Sequence, residues 1–380
     1  MDQLLASSRR NALKAMVTAL ILPALLPGCA TVAASSSPEP PEDNASALQP
    51  SPPEASTSPA LQQSEAIRFL QLPDPTTTIA QIQEPHFAER LAQATWDLVA
   101  AIYPTGLLPL WKLPLSQVDL LPRMRLAAEA LIPAVQAHAA IYPVDPAWIM
   151  GQILAESLFW EFAISSSLAV GMCQFIGPTA KEYGMLTADA PSADNIALAH
   201  LQPEAKRADQ LRAQARDLRR AHPDLFSRPE KTLYNLLKRA KQGENLQTTA
   251  GAWLATWEQL DRLQAQRLEA VRNFRSYLEA NFHQRSIFNP DDVSFLERFD
   301  QRTLPQRAVP AMVRMMARHM RVRNGNILAA TAGYNAGLGA TESAGAIYSE
   351  YGKIPAIEET TTYVSRILIH YHEIRARLSA

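Results

Sequence analysis

Pro146-Ala-Trp-Ile-Met-Gly-Gln-Ile-Leu-Ala-Glu-Ser-Leu-Phe-Trp160 is an apolar stretch with one carboxylate in its middle. Asp145 stands in front of it, able to cap a helix, and Pro146 sits at a first-turn position that tolerates proline. On a helix, Glu156 shares its face with Ile149, Ile153, Phe159 and Trp160. A carboxyl held against such groups is desolvated, which disfavours the charged form and raises its pKa. A general acid that must hold a proton near neutral pH needs that shift. Taken alone, the helix also allows a Glu that tilts out to water at the rim of this face.

Outward from this stretch, the chain keeps reading as helix. Pro85 to Val99 and Leu121 to Ile141 both place apolar residues three and four apart. No convincing run of alternating strands or internal repeat interrupts them. The 380 residues include 14 glycines, most of them in two stretches, Gly151 to Gly184 and Gly325 to Gly352. Special loops are expected there, and Tyr334 and Asn335 are placed in one of them. With 47% hydrophobic residues a real core can form, and a formal net charge of -1 argues against a general nucleic-acid binder. Two cysteines, Cys29 and Cys173, offer no disulfide framework if Cys29 is used otherwise.

The first residues read as an address. Arg9, Arg10 and Lys14 form a positive end, and the apolar run Ala15 to Leu26 is too short to span a bilayer, so residues 1–29 read as a signal peptide. Leu26-Pro27-Gly28-Cys29 resembles a lipobox, with Cys29 lipidated. Ser8 to Lys14 resembles a twin-arginine export signal. Ala30 follows the cysteine where, by resemblance to known lipoproteins, an aspartate would suggest inner-membrane retention, so periplasmic localisation with an outer-membrane anchor is expected. Residues 30–63 are Ser, Pro, Ala and Glu with few large apolar side chains, a composition expected to form a disordered tether. Residues 64–122 read as an N-terminal helical segment.

Residues 201–285 differ in composition. From Pro203 to Arg285 there are 16 Lys and Arg against 10 Asp and Glu. Trp253, Trp257, Leu260, Leu268, Val271, Phe274, Leu278 and Phe282 mostly keep helical spacing. Two readings stay open: a helical hairpin that buries one seam, or an arm that docks the substrate or a cell-envelope protein partner.

Downstream of Glu156-Ser157 come Ser165, nine residues after the acid, and Val170-Gly171-Met172-Cys173-Gln174-Phe175-Ile176-Gly177. Far beyond stand Ala332-Gly333-Tyr334-Asn335-Ala336-Gly337 and Glu359-Thr360-Thr361-Thr362-Tyr363-Val364. Together these resemble the soluble lytic transglycosylase family, whose catalytic lobe is that of goose-type lysozyme. The resemblance implies a mainly α fold, with a lysozyme-like catalytic lobe at 123–200 and 286–380 split by the helical insertion. It also implies that Glu156 is the sole catalytic acid. Ser165 would contact sugar or stem peptide, and Gln174 and Ile176 would line the cleft floor. Tyr334 would lie near the scissile bond with Asn335 beside it, and Glu359 would brace the cleft. Gly-Met-Cys-Gln where the family has Gly-Leu-Met-Gln, Gly333 where alanine is usual, and Leu338 where proline is common put substrate preference in doubt. Cys173 then reads as a small buried filler.

The implied chemistry is cleavage of the β-1,4 bond between N-acetylmuramic acid and N-acetylglucosamine in peptidoglycan. Glu156 acts as acid and then as base, leaving a 1,6-anhydromuramic end, with no cofactor and no metal. The rivals are a goose-type muramidase, in which water attacks with help from a second carboxylate, and a non-catalytic scaffold lipoprotein. Glu161 is the only acidic residue near Glu156 in sequence.

Overall fold

The computed structural model describes residues 80–191, 194–226, 229–343 and 349–379. The leader, the Cys29 lipidation site, the tether and the start of the N-terminal segment lie outside the described residues. Within them the first helices are Phe87–Ile102 (α1), Leu120–His138 (α2), Pro146–Ser157 (α3) and Gly177–Glu182 (α4). Glu204–Ala221 (α5), Pro223–Phe226 (α6), Pro229–Lys241 (α7) and Gln247–Phe282 (α8) follow. Pro290–Phe299 (α9), Pro305–Val322 (α10), Ile327–Ala336 (α11) and Glu358–Ser379 (α12) complete the set. The protein is mainly α, and β-structure among the described residues is limited to isolated bridges such as Ile164 with Val170.

Helix α3 is the centre of the body. Asp145 Oδ1 accepts from the Ala147 amide at 2.9 Å, and Pro146 opens the first turn, as its sequence predicts. Every residue from Pro146 to Leu154 is buried. A helix apolar on all sides must be enclosed by others, and α1, α2 and α12 pack around it. Gly151 allows the closest approach: a Cβ there would lie 3.1 Å from both His370 Cβ and the Tyr371 amide. Each large side chain buried in such a core contributes about 1.5–3 kcal/mol before its ordering cost. Trp148 adds a hydrogen bond from Nε1 to Thr331 Oγ1 at 3.2 Å, joining α3 to α11.

Helix α3 ends at Ser157, and Leu158 and Phe159 follow in the left-handed region at φ 50° and 56°. The chain therefore turns before Phe159 and Trp160, which do not extend the face that carries Glu156. Phe159 instead goes fully into the core. A second difference concerns Tyr334 and Asn335. They lie in the last turn of α11 rather than in a loop. Gly333 is there for packing, since a Cβ would sit 3.3 Å from Leu338 Cδ1 and 3.4 Å from His319 Nδ1. Gly337, at φ 85°, is the glycine that ends the helix.

The insertion is a helical hairpin. Helices α5 and α8 run antiparallel, with Ala208 and Leu211 buried against Ala270 and Val271. Its two ends meet where the Asn281 amide exchanges bonds with Ala197: Ala197 N donates to Oδ1 and Nδ2 donates to Ala197 O, both at 2.9 Å. Topology requires such a closure of any element inserted into a domain. The inner end of α8 does more than close the hairpin. Phe274, Tyr277, Leu278 and Phe282 belong to the main core, and Phe282 stacks on Phe162 at 5.2 Å. The last turns of α8 are thus part of the main core.

Candidate active site

Glu156 is half-buried at the C-terminal end of α3. Helix α12 runs antiparallel beside it, fixed at one end by Tyr371 Oη to Asp145 Oδ2 at 3.0 Å and by the Arg375–Asp145 ion pair at 2.5 Å. At the other end Tyr363 Oη donates to Glu156 Oε1 at 2.5 Å. Burial raises the Glu156 carboxyl pKa to about 7, against the opposing effects of the Tyr363 hydrogen bond and the Arg366 guanidinium. The group can therefore hold a proton near neutral pH and still reach a substrate. Gln152, one turn earlier, is buried, and its Oε1 has no protein partner.

The loop after α3 is tied to the acid by its neighbour. Ser157 Oγ donates to the Met172 carbonyl at 2.8 Å, which explains a buried serine beside the Glu. From below, Arg302 holds the same loop: Nη1 donates to the carbonyls of Phe175 at 3.1 Å and Leu168 at 3.2 Å. Its charge is neutralised by Asp300, with Nε to Oδ1 at 2.8 Å and Nη2 to Oδ2 at 2.6 Å. Gly171 sits against this support at φ 83°, and a Cβ there would lie 2.0 Å from the Arg302 carbonyl oxygen. Only glycine fits.

Ser165 is half-buried and closes a turn, its Oγ accepting from Ala169 N at 3.0 Å. The turn is pinned from the insertion by Arg275, whose Nη2 donates to the Ser165 carbonyl at 2.7 Å and the Ile164 carbonyl at 3.0 Å. Gln174 holds a left-handed conformation at φ 50° and donates Nε2 to the carbonyls of Gly171 at 2.9 Å and Ala163 at 3.1 Å. Ile176 is half-buried at the start of α4. Tyr334 Oη donates to the Cys173 carbonyl at 2.5 Å, so the far helix α11 also reaches this loop. Cys173 itself is fully buried.

Asn335 is exposed, and its Oδ1 accepts from Thr360 Oγ1 at 2.8 Å. That bond joins α11 to α12. Glu359 is exposed and makes no hydrogen bond or ion pair among the described residues, so the brace assigned to it runs through the adjacent Thr360. The structure thus brings Glu156, Gln174 and Tyr334 to one loop system, with Ser165 at its edge and Glu359 outside its hydrogen bonds. Tyr363, Ser157, Arg302 and Arg275 were not singled out from sequence. Tyr363 lay within a quoted motif, whereas Arg302 and Arg275 carried no local signal.

Glu161 is 1% exposed, and both its oxygens accept from Arg123, at 2.8 Å each. Arg123 in turn lies 4.9 Å from the Trp111 ring centroid, and Trp111 packs on Trp160 at 5.5 Å. This carboxylate is committed to structure.

No curated protein and no solved structure matches the chain. Residues 133–200 match the family described as Transglycosylase SLT domain, a span that contains Glu156, Ser165, Gln174 and Ile176. This span holds the acid on its buried helix and the floor loop beneath it, and residues 133–200 are thus similar to the lytic transglycosylase, lysozyme-like family.

Proposed function

We propose that the protein cleaves the β-1,4 bond between N-acetylmuramic acid and N-acetylglucosamine in peptidoglycan and leaves a 1,6-anhydromuramic end. The observation that carries this reading is a Glu156 carboxyl with its pKa raised to about 7, while Glu161, five residues on in sequence, is locked away by Arg123. Two-carboxylate glycosidases place their second group about 5–9.5 Å from the first, free to attack or to activate water. Glu161 is bound by Arg123 at both oxygens and cannot do either.

In the proposed cycle, protonated Glu156 gives its proton to the glycosidic oxygen as the bond to the muramoyl anomeric carbon breaks. The substrate's N-acetyl group shields the positive charge developing there. The Glu156 carboxylate then takes the proton of the muramoyl 6-hydroxyl, whose oxygen closes the anhydro ring on the same carbon. Bonds and protons balance without water, and Glu156 ends protonated. Tyr363 holds the carboxyl in place through both halves. Gln174, Ile176, Tyr334 and Asn335 are proposed to line the cleft, with Ser165 toward the stem peptide and Glu359 at its edge.

Residues 1–29 support a further reading, in which the chain is exported, lipidated at Cys29 and held in the periplasm on the outer membrane, with residues 30–63 as the tether. The activity is tested by digesting purified sacculi. Release of soluble muropeptides by the wild type and its loss in a folded Glu156→Gln variant are expected. Equal release by both would remove Glu156 from the reaction.

A further inference from the structure

The outer end of the inserted hairpin carries a helix that the fold leaves uncovered. Helix α7 has no buried residue, and its neighbour is the short α6. Leu233, Leu236, Leu237 and Ala240 recur at helical spacing and share one face. Leu233 is 57% exposed and Leu237 62%, with Tyr234 beside them at 66%. The other side carries Lys231 and Lys238, with Lys241 at the flank, against Glu230 on the helix, while Arg239 is paired with Glu244 just past its end. Trp257 of α8 packs on Phe226 of α6 at 4.8 Å, and Leu254, one turn before Trp257, is 63% exposed. Helix α6 thus touches both α7 and the outer half of α8, and each of those two helices carries exposed apolar residues.

We propose that this tip is a membrane-surface element: α7 lies in the interface of a bilayer with anionic headgroups, its leucines among the acyl chains and its lysines on the phosphates. Charge and polarity decide the occupant. A glycan strand offers sugars and carboxylates but nothing apolar to cover a leucine stripe. A second copy would set one basic helix against another. An apolar face with a lysine-rich back and a tyrosine at the boundary matches a lipid interface on both counts. At 13 residues, α7 is about 20 Å long and too short to span a bilayer, so it lies on the surface. From Leu254 to Phe282, α8 rises about 40 Å into the catalytic core, so the contact holds the cleft at that reach from the lipid. This assignment does not depend on the reaction chemistry or on lipidation of Cys29.

The test uses the full chain with Cys29→Ser and Leu237→Cys, labelled with a polarity-sensitive fluorophore; Cys173 is buried and does not compete. Vesicles of phosphatidylcholine with about a third phosphatidylglycerol should shift the emission to the blue. Pure phosphatidylcholine should shift it far less. Adding Leu233→Asp should abolish the shift, and Lys231→Glu with Lys238→Glu should weaken it at least tenfold in lipid concentration. A label at Ile369→Cys, on the exposed side of α12, should stay unchanged. The proposal is overturned by unaltered Leu237-site emission on vesicle-bound protein, or by equal shifts with neutral lipid. A shift that grows with protein concentration alone would assign the face to a second copy, and a shift with sacculi alone would assign it to the cell wall.

Discussion

Tyr363 Oη donates a 2.5 Å hydrogen bond to Glu156 Oε1, joining two helices whose residues stand 207 apart in sequence. The bond orients the acid and also favours its charged form. Tyr363→Phe should therefore move the alkaline limb of the pH–rate profile upward while lowering kcat. A hydrogen bond to an ionisable group stabilises by about 1.5–3 kcal/mol, so a loss of roughly tenfold to a hundredfold is expected. An unchanged limb with unchanged kcat would reduce Tyr363 to packing.

The raised pKa also makes the acid a cost to the fold. Because the folded-state pKa, about 7, lies above the ordinary 4.5, the folded state holds the extra proton between them. Stability then falls as pH rises through this window, and the full penalty, about 3 kcal/mol at most, is present above pH 7. Glu156→Gln should consequently be more stable than the wild type at pH 8, with the gap closing below pH 4.5. Denaturant unfolding at the two pH values checks this.

Gly171→Ala places a methyl 2.0 Å from the Arg302 carbonyl in a left-handed backbone. The floor loop must shift, so destabilisation of about 3 kcal/mol or more is expected, with activity lost even in the folded fraction. Thermal unfolding and turnover measured on the same sample would show it.

Glu161→Gln separates the two reaction types. It weakens the pairing of this buried site with the half-buried Arg123 and should lower the melting temperature. The surviving folded enzyme should keep its product and lose less than tenfold in kcat, whereas loss of the ~10²–10⁴ typical of acid–base groups would make Glu161 a working carboxylate.

Much of this was legible in the sequence because it is local. The Asp145 cap, the Pro146 start, the apolar body of α3 and the order of the motifs all lie in short runs of residues. The helix end was not, since Leu158 and Phe159 turn left-handed without a glycine to mark it. The Tyr334 helix was missed for the opposite reason, a glycine present for packing rather than for a turn. Arg302, Arg275 and the Asn281 clasp act over more than 80 residues, and only the folded chain brings them to the loop they hold.

Digestion of purified sacculi in water enriched in oxygen-18, followed by mass spectrometry of the muropeptides, tests the central claim most directly. If Glu156 passes a proton from the muramoyl 6-hydroxyl to the leaving oxygen and water takes no part, the new ends are lighter by one water and carry no label. Reducing ends bearing oxygen-18 as the main product would contradict the account and assign the chain to the hydrolases.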